Sequence, residues 1–290
     1  MKNEKISAIL IIYNEEKVIE RCLKSLEGVV DEILVFHDGP CLDNTLDLAK
    51  KYTKKVFILP RKGRAALHLI SAIKKAKNDW ILKIDADEFL SEKLKKNINK
   101  LAQNKEAAAY TFRWPWWDGK KYVTKNWPVK KVMFRKSEAS FIQYPGWDEP
   151  RTKGKTINTE YLLEHRPKKK NPNSSNNIKS FIEKALGRYG KSQAHYTLKP
   201  LSDFETYHYD LDDFPLRIRL RRRFPLLTAP LFSIMAFFII LKKHHFLTEG
   251  SPVIIEAFRT SIFYLFLGYY IYNLKIGNDL NNVFPKTKSI

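Results

Sequence analysis

The chain has 290 residues, 44% of them hydrophobic, and a formal net charge of +21. That composition excludes a disordered chain, and the length allows one large domain or two smaller ones. Two cysteines, Cys22 and Cys41, exclude a disulfide framework; with no secretory signal ahead of the first apolar run, they favour a reducing, cytoplasmic setting. "ISAILIIY" (6–13) is a near-continuous apolar run, as expected of a parallel strand buried on both faces. "EEKVIERCLKSLEG" (15–28) spaces Val18, Ile19, Cys22, Leu23 and Leu26 as a helix does, with Gly28 as its C-cap. "EILVFHDG" (32–39) is a second strand and "DNTLDLAKKYT" (43–53) a helix opened by an Asp/Asn/Thr cap. "KVFILP" (55–60), "RAALHLISAIKKAK" (64–77) and "WILKI" (80–84) continue as strand, helix, strand. The alternation predicts a Rossmann-like α/β sheet.

After Glu106 the pattern changes. "AAAYTFRWPWWDGKKYVTKNWPVKKVMFRKSEASF" (107–141) is strand-like and rich in Trp and Pro, and is expected to be antiparallel. "PKKKNPNSSNN" (167–177) is a polar loop, and "IKSFIEKALGRYGKSQAHY" (178–196) suits an amphipathic helix. The last third joins "RIRLRRR" (217–223) to two greasy segments, 224–241 and 252–274. A spanning helix needs about 20 apolar residues. The first segment falls just short and is interrupted by Pro225 and Pro230, and the second contains Glu256 and Arg259. In-plane or re-entrant helices on an anionic, cytoplasmic membrane face are therefore favoured over a spanning hairpin. The alternative is a buried helical pair or a homo-oligomer interface. The expected division is a catalytic domain at 1–166, a linker with a helical segment at 167–213, and a membrane-associated region at 214–290.

Ligands of open parallel sheets sit beyond the carboxyl ends of the strands. Four polar clusters fall there: Tyr13-Asn14-Glu15, His37-Asp38-Gly39, Arg61-Lys62-Gly63-Arg64 and Asp85-Ala86-Asp87-Glu88. Carboxylates this close repel one another unless a positive group lies among them. A nucleotide diphosphate with Mg²⁺ or Mn²⁺ satisfies all four clusters: Asp87 and Asp85 take the cation and the basic residues take phosphate charge. The competing reading is a set of solvated surface acids or helix caps. Ser91 is better placed to cap "EKLKKNINKLA" (92–102), which leaves both aspartates without that role.

These residues carry a resemblance. "ILIIYNEEKVIERCLKSL", "VDEILVFHDGPCLDNTLDLA" and "WILKIDADE" resemble the opening strand, the Asp-Asp-Gly-Ser turn and the DXD motif of family-2 glycosyltransferases with a GT-A fold, across at least residues 6–165. The match is closest to the subgroup related to lipopolysaccharide-core β-glucosyltransferases, whose Gly-Phe-Leu-Asp-Gly pattern is similar to "HFLTEG" (245–250). The resemblance implies a mixed sheet flanked by helices, a UDP-sugar donor and a role in cell-envelope polysaccharide or lipopolysaccharide synthesis. It makes Tyr13 and Glu15 contacts to base and ribose, Asp38 a uracil ligand, Asp85 a ribose or metal ligand and Asp87 a metal ligand; Asn14 and Arg64, from the same strand-end clusters, are expected to join them in binding the donor. The chain departs from the pattern in having His37 and Pro40 for the usual Asp and Ser, and one extra residue before Asp43.

"PGWDEPRTKGKTINTEYLLEHRP" (145–167) resembles the family's acceptor loop and later His. By that likeness Glu149 is the base for an inverting transfer, Asp148 its runner-up, and His165 a further metal or diphosphate ligand. Trp114, Trp116, Trp117, Trp127 and Trp147 could stack on acceptor sugars, although core or membrane-facing roles suit indoles equally well. The partners implied are a nucleotide-sugar, a glycolipid or lipid-linked saccharide, and an anionic membrane surface, with no nucleic acid. Two rivals compete. A nucleotidyltransferase would carry a Gly-rich basic signature where "YNEEKVIE" stands, and a basic membrane or nucleic-acid adaptor would leave the strand-end acids unexplained.

Overall fold

The computed structural model describes residues 4–126, 128–144, 149–167, 181–210, 214–243 and 250–280. They divide into two units. The first draws on Met1–Gln143, Trp147–Lys170 and Glu205–Tyr209, the second on Tyr144–Gly146, Asn171–Phe204 and Asp210–Ile290.

In the first unit, strands β1 (Ile6–Ile12), β2 (Glu32–Asp38), β3 (Val56–Leu59) and β4 (Trp80–Lys83) alternate with helices α1 (Ile19–Leu26), α2 (Thr45–Lys50) and α3 (Leu69–Lys75). Then follow β5 (Glu88–Leu90), α4 (Glu92–Ala102), β6 (Ala107–Arg113), β7 (Val129–Arg135), β8 (Ala139–Ile142), β9 (Arg151–Thr152), β10 (Lys155–His165) and, later, β11 (Thr206–Tyr207). The main sheet runs β3-β2-β1-β4-β7-β6-β10-β5, and β11-β8-β9 form a small second sheet. Strands β1 to β4 are mutually parallel where they pair, so their carboxyl ends share one edge.

Strand β1 is apolar except for Ser7, because its residues are buried on both faces. Ile6, Ala8, Leu10 and Ile12 pack with Cys22 and Leu23 of α1 and Leu94 and Ile98 of α4. Ile9 and Ile11 point the other way, into a cluster with Leu69, Ile70 and Ile73 of α3. Period-two alternation thus feeds two cores. Ser91 caps α4 as expected, its hydroxyl accepting from the Leu94 amide at 3.3 Å. At the start of α2 the N-cap position is held by Asn44 without a side-chain cap bond, and Asp43, one residue earlier, accepts from the Thr45 amide at 3.0 Å.

Three expectations need adjustment. The helix expected from residue 15 begins at Ile19, because Glu15 to Val18 form a turn that closes on the Glu15 carbonyl. The helix expected at 64–77 is a 3-10 turn, Ala65–Leu67, followed by α3, with His68 at the joint. The strands after Glu106 are of both kinds. Strand β7 is antiparallel to β4 and β6, whereas β10 is parallel to β6 and antiparallel to β5.

The second unit is helical. Residues Phe181–Gly190 wind as a π-helix and continue into α5 (Lys191–Leu198). Then come α6 (Leu216–Arg223), α7 (Pro225–Lys243) and α8 (Ser251–Lys275). Helix α7 runs unbroken through Pro230, contrary to the expected interruption, and Pro225 occupies its first position, where no amide donor is needed. Helices α7 and α8 are antiparallel: Gly268 meets Ala229, Ser261 donates to the Ser233 carbonyl at 2.9 Å, and Phe237 meets Phe258. A β-carbon on Gly268 would lie 2.4 Å from that of Ala229, so the crossing requires glycine. By length and composition both helices could cross a membrane. The polar loop at 167–177 and "HFLTEG" lie almost wholly outside the described residues.

Candidate active site

The carboxyl edge of β1, β2 and β4 carries two groups of the sequence-predicted residues. The first surrounds Asp38, at the end of β2, which is buried and carries four hydrogen bonds. Its Oδ1 accepts from the Lys62 amide at 2.6 Å and pairs with His68 Nε2 at 2.8 Å. Its Oδ2 accepts from Arg61 Nη1 at 2.6 Å and the Gly63 amide at 2.8 Å. Burial alone would raise this carboxyl, but the Lys62 amide, His68 and Arg61 outweigh it and hold it below the ordinary range. The Arg61 guanidinium also lies 3.4 Å over the ring of Tyr13. Tyr13 and Asp38, expected to meet the base, are thus covered by one arginine.

His37, the departure from the family's aspartate, is fully buried and ties this edge together. Its Nδ1 bonds the Gly39 carbonyl at 2.7 Å, and its Nε2 accepts from the Asn14 amide at 3.2 Å. Those two partners select the neutral tautomer protonated at Nδ1. Asn14, at φ +51°, accepts from the Leu42 amide at 3.0 Å, which anchors the loop containing the extra residue. The Glu15 amide donates to Thr45 Oγ1 at 2.6 Å. Arg64 sits in extended conformation just before the 3-10 turn.

The second group is the acidic turn after β4. Strand β5 pairs with the end of β10, which sets His165 opposite Glu88. The His165 Nε2 and Asp87 Oδ2 atoms are 3.3 Å apart. Trp114 stacks on the His165 ring, centroids 4.0 Å apart, and donates its indole N–H to Glu88 Oε1 at 2.6 Å. The cation among the acids is Lys130 of β7: its ammonium lies 2.6 Å from Asp85 Oδ2 and also contacts Glu88. Burial would raise the Asp85 carboxyl, yet Lys130, and behind it Lys83, hold it well below the usual carboxylate range. Burial keeps Glu88 raised even so, against the pull of Lys130. The Lys130 ammonium is held above its ordinary value, because Asp85 and Glu88 outweigh its burial.

Asp87 and His165 fit a divalent cation in donor type, but among the described residues no three His, Cys, Asp or Glu side chains converge. Ions such as Mg²⁺ commonly take one or two protein ligands and complete their shell with water and substrate phosphate. The pair suits a cation arriving with a diphosphate. The buried His165 Nδ1 has no hydrogen-bond partner among the described residues, so Nε2 can serve as donor to Asp87 or as ligand.

Glu149 is exposed and lies at the edge of β7, where its Oε1 is 3.4 Å from the Lys131 amide. Asp148, Trp127 and Trp147 are outside the described residues. Sequence reasoning missed Lys130, Trp114 as a partner of Glu88, and His68. Lys130 lies in an ordinary Lys-Lys pair 45 positions from Asp85 and carries no local signal.

Asp38→Asn should destabilise the fold by about 1 to 3 kcal/mol at pH 7, the range for leaving buried hydrogen-bonding groups unsatisfied. Because the folded carboxyl is depressed, its contribution is complete above the unfolded value near ~3.9 and lost as pH falls through the lower folded value. Urea unfolding at pH 7 and pH 3 should show the gap between variant and wild type shrinking with acid.

The family model described as glycosyl transferase family 2 matches residues 7–188. An uncharacterized glycosyltransferase of Rickettsia felis is 40% identical over 95 residues, 33% of each chain. A poly(ribitol-phosphate) β-glucosyltransferase of Bacillus spizizenii is 32% identical over 111 residues, covering 34% of this chain and 18% of that one. The chain thus spans about a third or less of the length of the curated relatives it matches. The crystal structure of residues 1–349 of TarS from S. aureus aligns over 94% of this chain and 92% of that one, with 14% identity and a TM-score of 0.40. With the family model covering well over half of its residues, the chain belongs to glycosyl transferase family 2.

Proposed function

We propose that this protein is an inverting, metal-dependent glycosyltransferase that moves a sugar from a uridine-diphosphate donor to a glycolipid or lipid-linked saccharide of the cell envelope. The observation that carries the reading is the pair of ligand atoms on Asp87 and His165, 3.3 Å apart at the carboxyl edge of a family-2 sheet. When bound, Mg²⁺ or Mn²⁺ neutralises the charge that collects on the departing diphosphate. Asp87 and His165 hold and orient it, and Asp85 borders the same turn. Tyr13, Asn14, Glu15 and Asp38 form the nucleoside end, with Arg61 moving off the Tyr13 ring when a base stacks there. Arg64 faces the phosphates. Glu149 takes the proton from the acceptor hydroxyl as that oxygen attacks the anomeric carbon, and Asp148 is the alternative base. The β-linkage in the name of the Bacillus spizizenii relative supports inversion, since glucose donors of this type are α-linked.

Membrane attachment rests on the second unit. Leu227, Leu231, Ile234 and Phe238 of α7 and Phe258 of α8 are large, apolar and exposed. At one end of the helix pair, where Lys275 donates to the Arg223 carbonyl at 3.1 Å, a cavity of about 420 Å³ is lined by Arg219, Arg222, Arg223 and Lys275 over Leu198, Leu201 and Phe214. Apolar surface ending in a ring of cations suits an anionic leaflet on the cytoplasmic side.

Asp87→Ala should abolish transfer and remove the enhancement of UDP binding by Mn²⁺, as read by calorimetry with and without metal. Equal enhancement in variant and wild type would rule Asp87 out as a ligand. Glu149→Gln should keep donor affinity while turnover drops by at least ~10²-fold, the scale of lost general-base catalysis. An active Glu149→Gln beside an inactive Asp148→Asn moves the base by one residue. Full-length protein should sediment with anionic vesicles. Replacing Arg219, Arg222, Arg223 and Lys275 by Gln should weaken that binding by roughly 1 kcal/mol per charge and leave binding to neutral vesicles little changed. Protein that stays in the supernatant with every lipid makes the helix pair an oligomer interface or core element.

A further inference from the structure

We propose that Lys130 is a tethered counter-cation that makes the acidic turn accept a divalent ion only together with the donor's diphosphate. The inference rests on the donor-site reading above for the identity of the diphosphate, and on the geometry of the turn for everything else.

The register of the sheet puts Lys130 where it is. Strands β4 and β7 pair antiparallel as Trp80 with Arg135, Ile81 with Phe134 and Leu82 with Met133. The ladder ends at Leu82 and Met133; counting on past its end, one step forward on β4 for each step back on β7, carries Asp85 toward Lys130, and the two side chains meet there. The ammonium then reaches Asp85 Oδ2 at 2.6 Å and touches Glu88. It also lies 5.3 Å from the centre of the Trp114 ring, a cation–π contact that restricts its swing. Register, two carboxylates and an indole all hold the same charge in place.

That arrangement leaves few ligands for an added cation. Glu88 is fully buried; its Oε1 serves Lys130 and the Trp114 indole, and its Oε2 accepts from the Asp85 amide at 2.9 Å. Asp85 is shared with Lys130. Among the described residues of this turn, Asp87 and His165 face one another without the lysine between them. Two ligands beside a fixed positive charge are a poor site for a free divalent ion, whose affinity follows the count of anionic ligands. Phosphate oxygens would supply the missing negative charge, so metal and donor enter as one unit. Lys130 is in this sense a positioning residue: it acts through Asp85 and Glu88 and sets how much negative charge the turn offers.

The test measures Mn²⁺ binding by calorimetry on the full-length protein, alone and with saturating UDP. The wild type should bind Mn²⁺ at least about tenfold more weakly alone than with UDP. Lys130→Met should bind Mn²⁺ alone at least about tenfold more tightly than wild type, because Asp85 and Glu88 are released to it. Lys130→Arg, which keeps the charge, should behave as wild type, an outcome a merely structural role does not require. Should Lys130→Met fail to fold, Lys130→Gln preserves hydrogen bonds to both carboxylates and takes its place. Equal Mn²⁺ affinity with and without UDP in the wild type overturns the proposal. So does a folded neutral variant whose affinity for Mn²⁺ alone is unchanged. If no form binds UDP, the donor-site reading fails, and the comparison in Mn²⁺ alone still decides the role of Lys130.

Discussion

Burying a carboxylate costs several kcal/mol unless partners replace its water, and the turn after β4 buries Glu88 completely beside two more acids. Lys130 and Trp114 supply the replacement. The neighbouring structure depends on that arrangement. Strand β7 must lie against β4 in one register for Lys130 to reach Asp85. Trp114, donating to Glu88, presents its face to His165, and β10 brings His165 against β5. A slip of one residue between β4 and β7 would turn Lys130 to the opposite face and take its ammonium away from Asp85 and Glu88.

A second buried carboxylate organises the other half of the site by the same logic. Asp38 gathers two backbone amides, an imidazole and a guanidinium, so the loop from Arg61 to Gly63 is folded around a single charge. Gly63, at φ +74°, adopts the left-handed conformation that lets its amide turn inward. His37 does the equivalent for the turns after β1 and β2, bonding the Asn14 amide and the Gly39 carbonyl. Where the family pattern has an acid, this chain has a neutral imidazole that locks two loops together. This strand-end edge is therefore held together by internal hydrogen bonds, with Arg61 laid across the Tyr13 ring.

The helical unit follows a different constraint. Its apolar helices expose leucine, isoleucine and phenylalanine, while the contact between them is made by Gly268, Ala229, Ser233 and Ser261. Small residues at the crossing let backbones approach, while Leu227, Leu231, Ile234 and Phe238 face outward and Leu267, Tyr270 and Ile271 are buried. Arg221 is buried between Phe232 and Tyr264, where aromatic faces accept its charge. Pro230 does not break α7, because a helix tolerates one missing amide when its neighbours remain packed.

Local pattern was enough to place β1 to β4, α1 to α4 and the Ser91 cap within a few residues, because apolar period and capping chemistry act over one or two turns. It also marked Tyr13, Asp38, Asp85 and Asp87 as strand-end polar residues, since the edge they share follows from strand–helix alternation. What lay beyond it was the set of partners. The parallel pairing of β10 with β6, the meeting of His165 with Asp87 and the insertion of Lys130 between Asp85 and Glu88 each join residues dozens of positions apart. Hydrogen bonds and ion pairs form across space, and no periodicity in the chain encodes which strand will lie beside which. The sequence by itself determined where the carboxylates stand; only the tertiary structure decided which cation stands between them, because that choice is made by sheet register.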